Sequence, residues 1–578
     1  MDRFPQELID QICGFLSSDD LPRIYNVSTK FRKAADDQAK LYRQSNFEFS
    51  NRERLPYVRG MPFERAVRWI EYISEYSKEQ HQQFLTKYSG FRLRYLRSVH
   101  FYTYFPDLED HDDGHDRTTC TCDHHFNCRE TADELREKDE AFTRQIRDLF
   151  TTLKTVEDRA GKGNHGRYFV TIYTPSRVVL GECCLHRKID NWRTHLIDPN
   201  SLPDVLSVCG LVITQIGYSQ AKLDYRISID LVDRFPNLEH LQYETGRDEW
   251  TWSRESPADE LIFDFDGVRR DTRHDFGRAI MGLKIPKTLE KVSLNFFHEH
   301  GHEGGNVNIY HWQSMPNLIG SAKKDPFSTG IRFLSYHLSV LELKAQVDES
   351  LFWPNDGSTP TWPSLQSISV MFHMISPSGA WYFEGPRGEG RDSIGYEVNE
   401  SSYPPLETTG DDLWLHDEIE ENPRSLENGG HHLQFRISPN ENLLCPLLTS
   451  LAKAAANMPK LKKLNVYSHL TWDPYCASDD ELEPFEHFEP PRYMYDVNNQ
   501  RGFDWGFAYA PPGHHSICPW NSFVEDEDRG EICSARQMWW RAGDWRPIPE
   551  LHGLFRQIGY QEHGEALEEY WGYDQFVK

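Results

Sequence analysis

Three short stretches of this 578-residue chain carry residue types that could do chemistry. His298-Glu299-His300-Gly301-His302 has the letters of a zinc-hydrolase signature, in which two His on one helical face hold the metal and the Glu handles bound water. The stretch follows strand-like Leu289–Phe297 and runs into Gly301, Gly304 and Gly305, so helix is its least favoured state and it reads as a polar loop. Gly161-Lys162-Gly163-Asn164-His165-Gly166 has the letters of a dinucleotide fingerprint. Tyr168–Tyr173 behind it reads as a strand, where a helix N-terminus would have to receive the pyrophosphate, so the glycines mark a hairpin-like turn. Cys120, Cys122, His124, His125 and Cys128 place five soft or borderline ligands within nine residues and could surround a structural zinc. Their Cys-x-Cys spacing is tighter than a zinc finger's and no second ligand pair follows, so the favoured reading is reduced cysteines in an acidic loop. No nucleophile elbow or Walker-type phosphate loop occurs, and no catalytic residue or cofactor is assigned.

The elements around these stretches are more telling, above all near the N-terminus. Leu8, Ile12, Phe15 and Leu16 recur at i, i+4, i+7 and i+8, one face of a helix that Pro5 opens and Glu7 complements electrostatically. Ser17-Ser18-Asp19-Asp20 interrupts the pattern and can cap a short helix over Leu21–Asn26. Ser28 can cap a third, whose apolar face is Phe31, Ala34, Ala35 and Tyr42 with Gln38 as a polar intruder. Three short helices bury too little apolar surface to be very stable alone, so an exposed stripe on them implies a partner.

Phe4-Pro5, Glu7-Leu8, Ile12, Leu16, Asp20-Leu21, Val27-Ser28 and Phe31-Arg32 together resemble the F-box family, the adaptor module of Skp–cullin–F-box ubiquitin ligases. Phe4 departs from the usual Leu, and Gly14 inside the first helix costs about 1 kcal/mol relative to Ala. The resemblance covers residues 1–46. It implies that Phe4, Pro5, Leu8, Ile12, Leu16, Leu21, Val27 and Phe31 divide between the module's own core and a groove on a Skp-type adaptor, which in turn binds a cullin.

Composition limits the rest. Lys plus Arg is 63 and Asp plus Glu is 90, a net charge of −27, which opposes nucleic acid as the main partner. Aromatic residues are 13% of the chain, enough to exclude wholesale disorder. No window reaches the about 18–20 apolar residues of a membrane span. Met1–Asp20 is cut by Pro5, Glu7, Asp10 and Asp19 and is not a secretory signal, and the 11 scattered Cys do not form a disulfide framework. The expected compartment is cytoplasm or nucleus.

Residues 47–90 read as a helical linker with Phe63, Val67, Ile70 and Ile73 at helical spacing. From 91 to 470 an apolar triplet recurs at Leu96/Val99/Phe101, Val208/Leu211/Ile213, Leu238/Leu241/Tyr243, Leu289/Val292/Leu294, Leu338/Leu341/Leu343, Leu365/Ile368/Val370 and Leu461/Leu464/Val466. Period two inside each triplet marks a strand, and helical stretches at Ile227–Arg234, Phe276–Leu283 and Leu447–Asn457 precede some of them. Helix, Pro-containing turn and strand in alternation resemble the leucine-rich repeat. The expected fold is α/β: a small N-terminal three-helix F-box, then an irregular leucine-rich-repeat-like solenoid with long acidic loop insertions at about 107–140 and 384–430. Residues 471–578 read as an aromatic-rich C-terminal cap.

The resemblance implies a non-catalytic substrate receptor of an E3 ubiquitin ligase that holds an unknown target protein on its repeat domain, with no nucleic acid or membrane as partner. The alternative is an F-box scaffold without ubiquitylation activity. Strand positions such as Gln242, Ser293, Ser369 and Asn465 are target-facing candidates by geometry.

Overall fold

Alternating apolar side chains cannot all turn inward on a strand, so each triplet commits one face of its segment to a core and leaves the other to solvent. In the computed structural model, which describes residues 4–16, 24, 27–38, 44–47, 82–88, 90–106, 129–164, 166–176, 191–215, 221–244, 265–297, 311–354, 356–412, 414, 433–472, 485, 488, 491, 502–514 and 532–571, all seven triplets contribute strands to one sheet. Its strands are β1 (Gln44–Phe47), β2 (Ser98–Tyr104), β3 (Tyr168–Ser176), β4 (Val208–Thr214), β5 (His240–Glu244) and β6 (Lys291–Asn295), then β7 (Val340–Ala345), β8 (Ser367–Phe372), β9 (Lys463–Thr471), β10 (Gly502–Ala510), β11 (Arg536–Arg541) and β12 (Leu567–Trp571). Each lies beside its predecessor in the chain. Pairing is parallel from β1 through β9, antiparallel on both sides of β10, and parallel again between β11 and β12.

Parallel neighbours need a crossover, and helices supply most of it. They are α3 (Ala132–Ala160), α4 (Arg226–Val232), α5 (Asp266–Gly282), α6 (Pro326–Ser335) and α7 (Glu441–Ala455), with α1 (Gln6–Gly14) and α2 (Thr29–Gln38) ahead of the sheet and α8 (Pro549–Arg556) near its far end. Val99, Val170, Leu211, Leu241, Val292, Leu341, Ile368 and Leu464 stand in register across β2–β9 and are at most 3% exposed. Phe150, Leu231, Phe276, Ile331 and Leu451 from the helices close over them in the same core. Burying each such side chain contributes about 1.5–3 kcal/mol before entropy is counted.

Entry to β6, β7, β8 and β9 repeats one backbone device. The carbonyl of Glu239 accepts from the N–H groups of Glu290 and Lys291, that of Glu290 from Ser339 and Val340, that of Ser339 from Gln366 and Ser367, and that of Gln366 from Lys462 and Lys463. One turn earlier, the N–H of Leu238, Leu289, Leu338 or Leu461 donates to the carbonyl three residues back, which seats the leading Leu of the triplet in the core. Gly277 and Gly330 let α5 and α6 touch backbone to backbone, since a Cβ on Gly277 would meet the Pro326 carbonyl oxygen at 2.1 Å.

Where helices meet loops, buried charges are paired. Arg273 and Asp325, both fully buried, form an ion pair of 2.8 Å, and Arg273 also donates to the Gln346 carbonyl. Asp325 caps α6 through Phe327 N and Ser328 N and lies beside buried Asp348, which accepts from Ser350. Burial first, and the Asp325 charge second, push the Asp348 carboxyl up to about 7. Arg436, also buried, donates to the carbonyls of His311, Phe383 and Gly390 and lies over the Trp381 ring.

Several expectations are corrected. The acidic stretch 107–140 is not loop at its end: Thr131 and Glu134 form a reciprocal capping box that starts the 29-residue α3, and residues 107–128 lie outside the described set. The described part of 384–430 is also not a solvated loop. Glu384 is buried and paired with Arg391, Phe383–Glu384 pairs with Ser438–Pro439, and Asp412 receives a bidentate pair from Arg129 at the start of α3. Gly161 is a helix C-cap with φ 76°, and the turn runs from α3 to β3, not between hairpin strands. The described part of 471–578, read as a C-terminal cap, adds three strands to the sheet, the first paired with β9.

Candidate docking surfaces

α1 and α2 pack on each other through Ile9, Cys13, Phe31, Ala34 and Ala35, with Leu16 and Ile24 partly buried beside them. The chain start is tied to α2 by Gln6 Nε2 donating to the Lys30 carbonyl (3.4 Å) and by Lys30 Nζ donating to the Phe4 carbonyl (2.9 Å). Ser28 caps α2 as its position suggested: its Oγ accepts from Phe31 N at 3.4 Å. Burial raises the Cys13 thiol, and the Asp10 charge adds to it.

The face of α1 read from the sequence is the unpacked one. Phe4 is 49% exposed, Leu8 46%, Ile12 44% and Phe15 90%, and Val27 ahead of α2 is 45% exposed. Pro5 is exposed too, Leu16 is half-buried, and Phe31 belongs to the pair's own core. Leu21 and all of the second helix except Ile24 lie outside the described residues. The five exposed apolar side chains therefore belong to two helices already held together by a different set. Tyr95 Oη donates to the Lys33 carbonyl at 3.0 Å and ties this pair to the segment that enters β2.

A second surface lies on the sheet face that the helices leave uncovered. Gln242, Ser293, Glu342, Ser369 and Asn465 stand in register across β5–β9, and two residues further along each strand so do Glu244, Asn295, Lys344, Met371 and Tyr467. Most of these line a concavity of about 260 Å³. Of the four residues singled out from the sequence, Gln242, Ser293 and Ser369 line it, while Asn465 is 6% exposed and sits in register beside Ser369. The sequence reading missed Asn295 and Tyr467, although their two-residue offset from Ser293 and Asn465 assigns them the same face, and it missed Glu342 and Lys344 on β7, where it named no position.

Within the concavity Gln242 Nε2 donates to Glu244 Oε2 (3.1 Å), Lys291 Nζ pairs with Glu342 Oε1 (3.3 Å), and Asn295 Oδ1 accepts from Phe297 N (3.0 Å). Burial, with the Asp504 charge second, pushes the Tyr467 phenol up to about 12, so it stays a neutral hydroxyl. Asp504 itself is pushed up by burial, but the hydrogen bond from His469 and the charges of His469 and Arg541 outweigh that and hold its carboxyl below the usual range.

Cys120, Cys122, His124, His125, Cys128 and His298–His302 all lie outside the described residues. Among the described residues no group of three or more His, Cys, Asp or Glu side chains is placed to hold a metal, and no helix is long and apolar enough to cross a membrane. Compared with protein-family models and with curated proteins, the chain matches none.

Proposed function

We propose that the chain is a substrate receptor of the Skp–cullin–F-box type, acting in the cytosol or nucleus. Its N-terminal module docks on a Skp-type adaptor and, through that adaptor, a cullin. The sheet body, an irregular leucine-rich-repeat-like solenoid, holds a target protein. The observation that carries this reading is the stripe of Phe4, Leu8, Ile12, Phe15 and Val27, left exposed on a helical pair that is already packed through other residues. A partner can bury the stripe without disturbing the Ile9–Phe31 side, and each desolvated anchor contributes about 1–3 kcal/mol to such a contact. The repeated strand-entry hydrogen bonds support the repeat reading of the body. In this role the chain supplies no nucleophile; it accelerates ubiquitin transfer by tethering a target near a recruited conjugating enzyme.

The test is capture of the full-length chain on a purified Skp-type adaptor. Wild type is expected to bind at micromolar concentration or better. Leu8→Asp is expected to bind at least about 30-fold more weakly, because a carboxylate at a desolvated contact is left unpaired. Unaltered capture of Leu8→Asp, or no capture of wild type at micromolar concentration, overturns the proposal. Association with a cullin, and ubiquitylation of a co-purified protein, then separates a working ligase receptor from a scaffold.

A further inference from the structure

β12 ends the sheet: it pairs with β11 on one side and with no described strand on the other. In a parallel ladder, alternate residues of a strand turn both backbone groups to the same side. The Arg536 N–H donates to the Ala566 carbonyl, and Arg536 stands opposite Leu567, so Glu568 and Tyr570 face β11. Leu567, Glu569 and Trp571 therefore turn their N–H and C=O groups outward, where they have no hydrogen-bond partner among the described residues. Side chains hold this edge in strand geometry from both faces. On one, Trp571 stacks on Trp540 at 4.8 Å between ring centres, and Glu569 pairs with His552 at 2.6 Å. On the other, Tyr570 stacks on Trp539 at 5.5 Å. Such a row of fixed donors and acceptors is completed by another extended backbone.

Charge selects among the chains that could add there. Glu568 on the strand and Glu565 just ahead of it are exposed and have no cation partner among the described residues. The cations in contact with β12 side chains are engaged: His552 and Arg556 by Glu569, and Arg546 by the Trp571 ring and the carbonyls of Gly543 and Trp545. A second copy fits badly. Full antiparallel pairing of two β12 strands sets Glu569 opposite Glu569, and two chains of net charge −27 repel. We propose that β12 accepts an extended segment of another polypeptide as a further strand, with a Lys or Arg of that segment opposite Glu568 on the Tyr570 face. Backbone pairing supplies affinity, and the Glu568 carboxylate selects the sign of the facing residue. The net charge of −27 draws such a basic segment in at long range. This inference goes beyond the receptor reading and does not depend on the N-terminal module.

A random dodecapeptide display library panned on the full-length chain tests this. Enriched peptides are expected to carry Lys or Arg among alternating β-branched or aromatic residues. In a synthetic peptide from the enriched set, N-methylation of alternate residues in the register facing β12 should weaken binding at least about tenfold, and in the other register by less than about threefold. Glu565→Lys combined with Glu568→Lys should weaken the same peptide about fivefold, while Glu568→Asp keeps its affinity. Both positions are exposed, so the melting temperature and adaptor capture of these variants should match wild type. No enrichment on wild type, enrichment of acidic peptides, equal effects of the two N-methylation registers, or undiminished binding to the double variant each overturns the proposal. A dimer of the free chain that the peptide dissociates would assign the edge to a second copy and overturns it as well. Because adaptor capture is read on the same preparations, failure here is distinguishable from failure of the receptor reading.

Discussion

In the α1–α2 pair, Ile9, Cys13, Phe31, Ala34 and Ala35 are at most 7% exposed, while Phe4, Leu8, Ile12, Phe15 and Val27 range from 44% to 90%. Across β2–β9, the inward-facing Val, Leu and Ile in register are driven to 3% or less, and the rows on the opposite face hold mostly Gln, Ser, Glu, Asn and Lys instead. Both regions follow ordinary periodicity, 3.6 in one and 2.0 in the other. The contrast lies in where the surplus of apolar surface goes. The sheet has helices enough to cover its inner face. The helical pair has more apolar positions than two short helices can use, and its excess stays outside, which a large monomeric fold seldom tolerates without a partner.

Substitutions separate the two regions. The largest expected effect is in the body: Arg273→Ala leaves Asp325 buried without its cation and should cost about 3–5 kcal/mol in urea unfolding of the full chain. Adaptor capture by the protein that remains folded should not change; a parallel loss of capture would mean that the regions are coupled. Within the helical pair, Ile9→Ala and Ile12→Ala remove the same atoms one turn apart. Ile9→Ala should destabilise the pair by about 2–4 kcal/mol, whereas Ile12→Ala should leave stability within about 0.5 kcal/mol and weaken only adaptor capture. Equal destabilisation, read from protease sensitivity of the N-terminal segment, would erase the distinction between inner and outer faces.

A separate expected effect concerns pH. Because the Asp348 carboxyl is raised from 3.8 to about 7, the folded state holds a proton that the unfolded state has released across that window. Its contribution is therefore present at the acid end and lost as pH rises through about 7. Asp348→Asn should flatten the pH dependence of the body's melting temperature between these limits relative to wild type. An identical slope in the variant would show that no proton is held there.

Much of the body was legible because each triplet carries its own strand signal and its own leading Leu. α3 was missed at its start although Thr131-Ala132-Asp133-Glu134 spells a capping box: averaging charge over a long acidic window hid a local three-residue relation. β10 and β11 were missed for a different reason. Phe507, Ala508, Met538, Trp539 and Trp540 are buried on both faces of the sheet, so alternation, the signal that betrays a half-covered strand, is absent. Of the open face, the residues one row beyond the named positions followed from strand geometry alone. The pairing of Glu342 with Lys291, which leaves Lys344 without an ion-pair partner among the described residues, did not, since it depends on which strands become neighbours.

Because every strand lies next to the one before it, the sheet acts as a ruler. β2, where the N-terminal helices are tied through Tyr95, and β7, which carries Lys344, are five ladder steps apart, about 24 Å measured across the strands. Whatever grips the first end and whatever rests on the second are thus held at a set stagger, and excising one helix-and-strand unit would shorten that offset by about 5 Å.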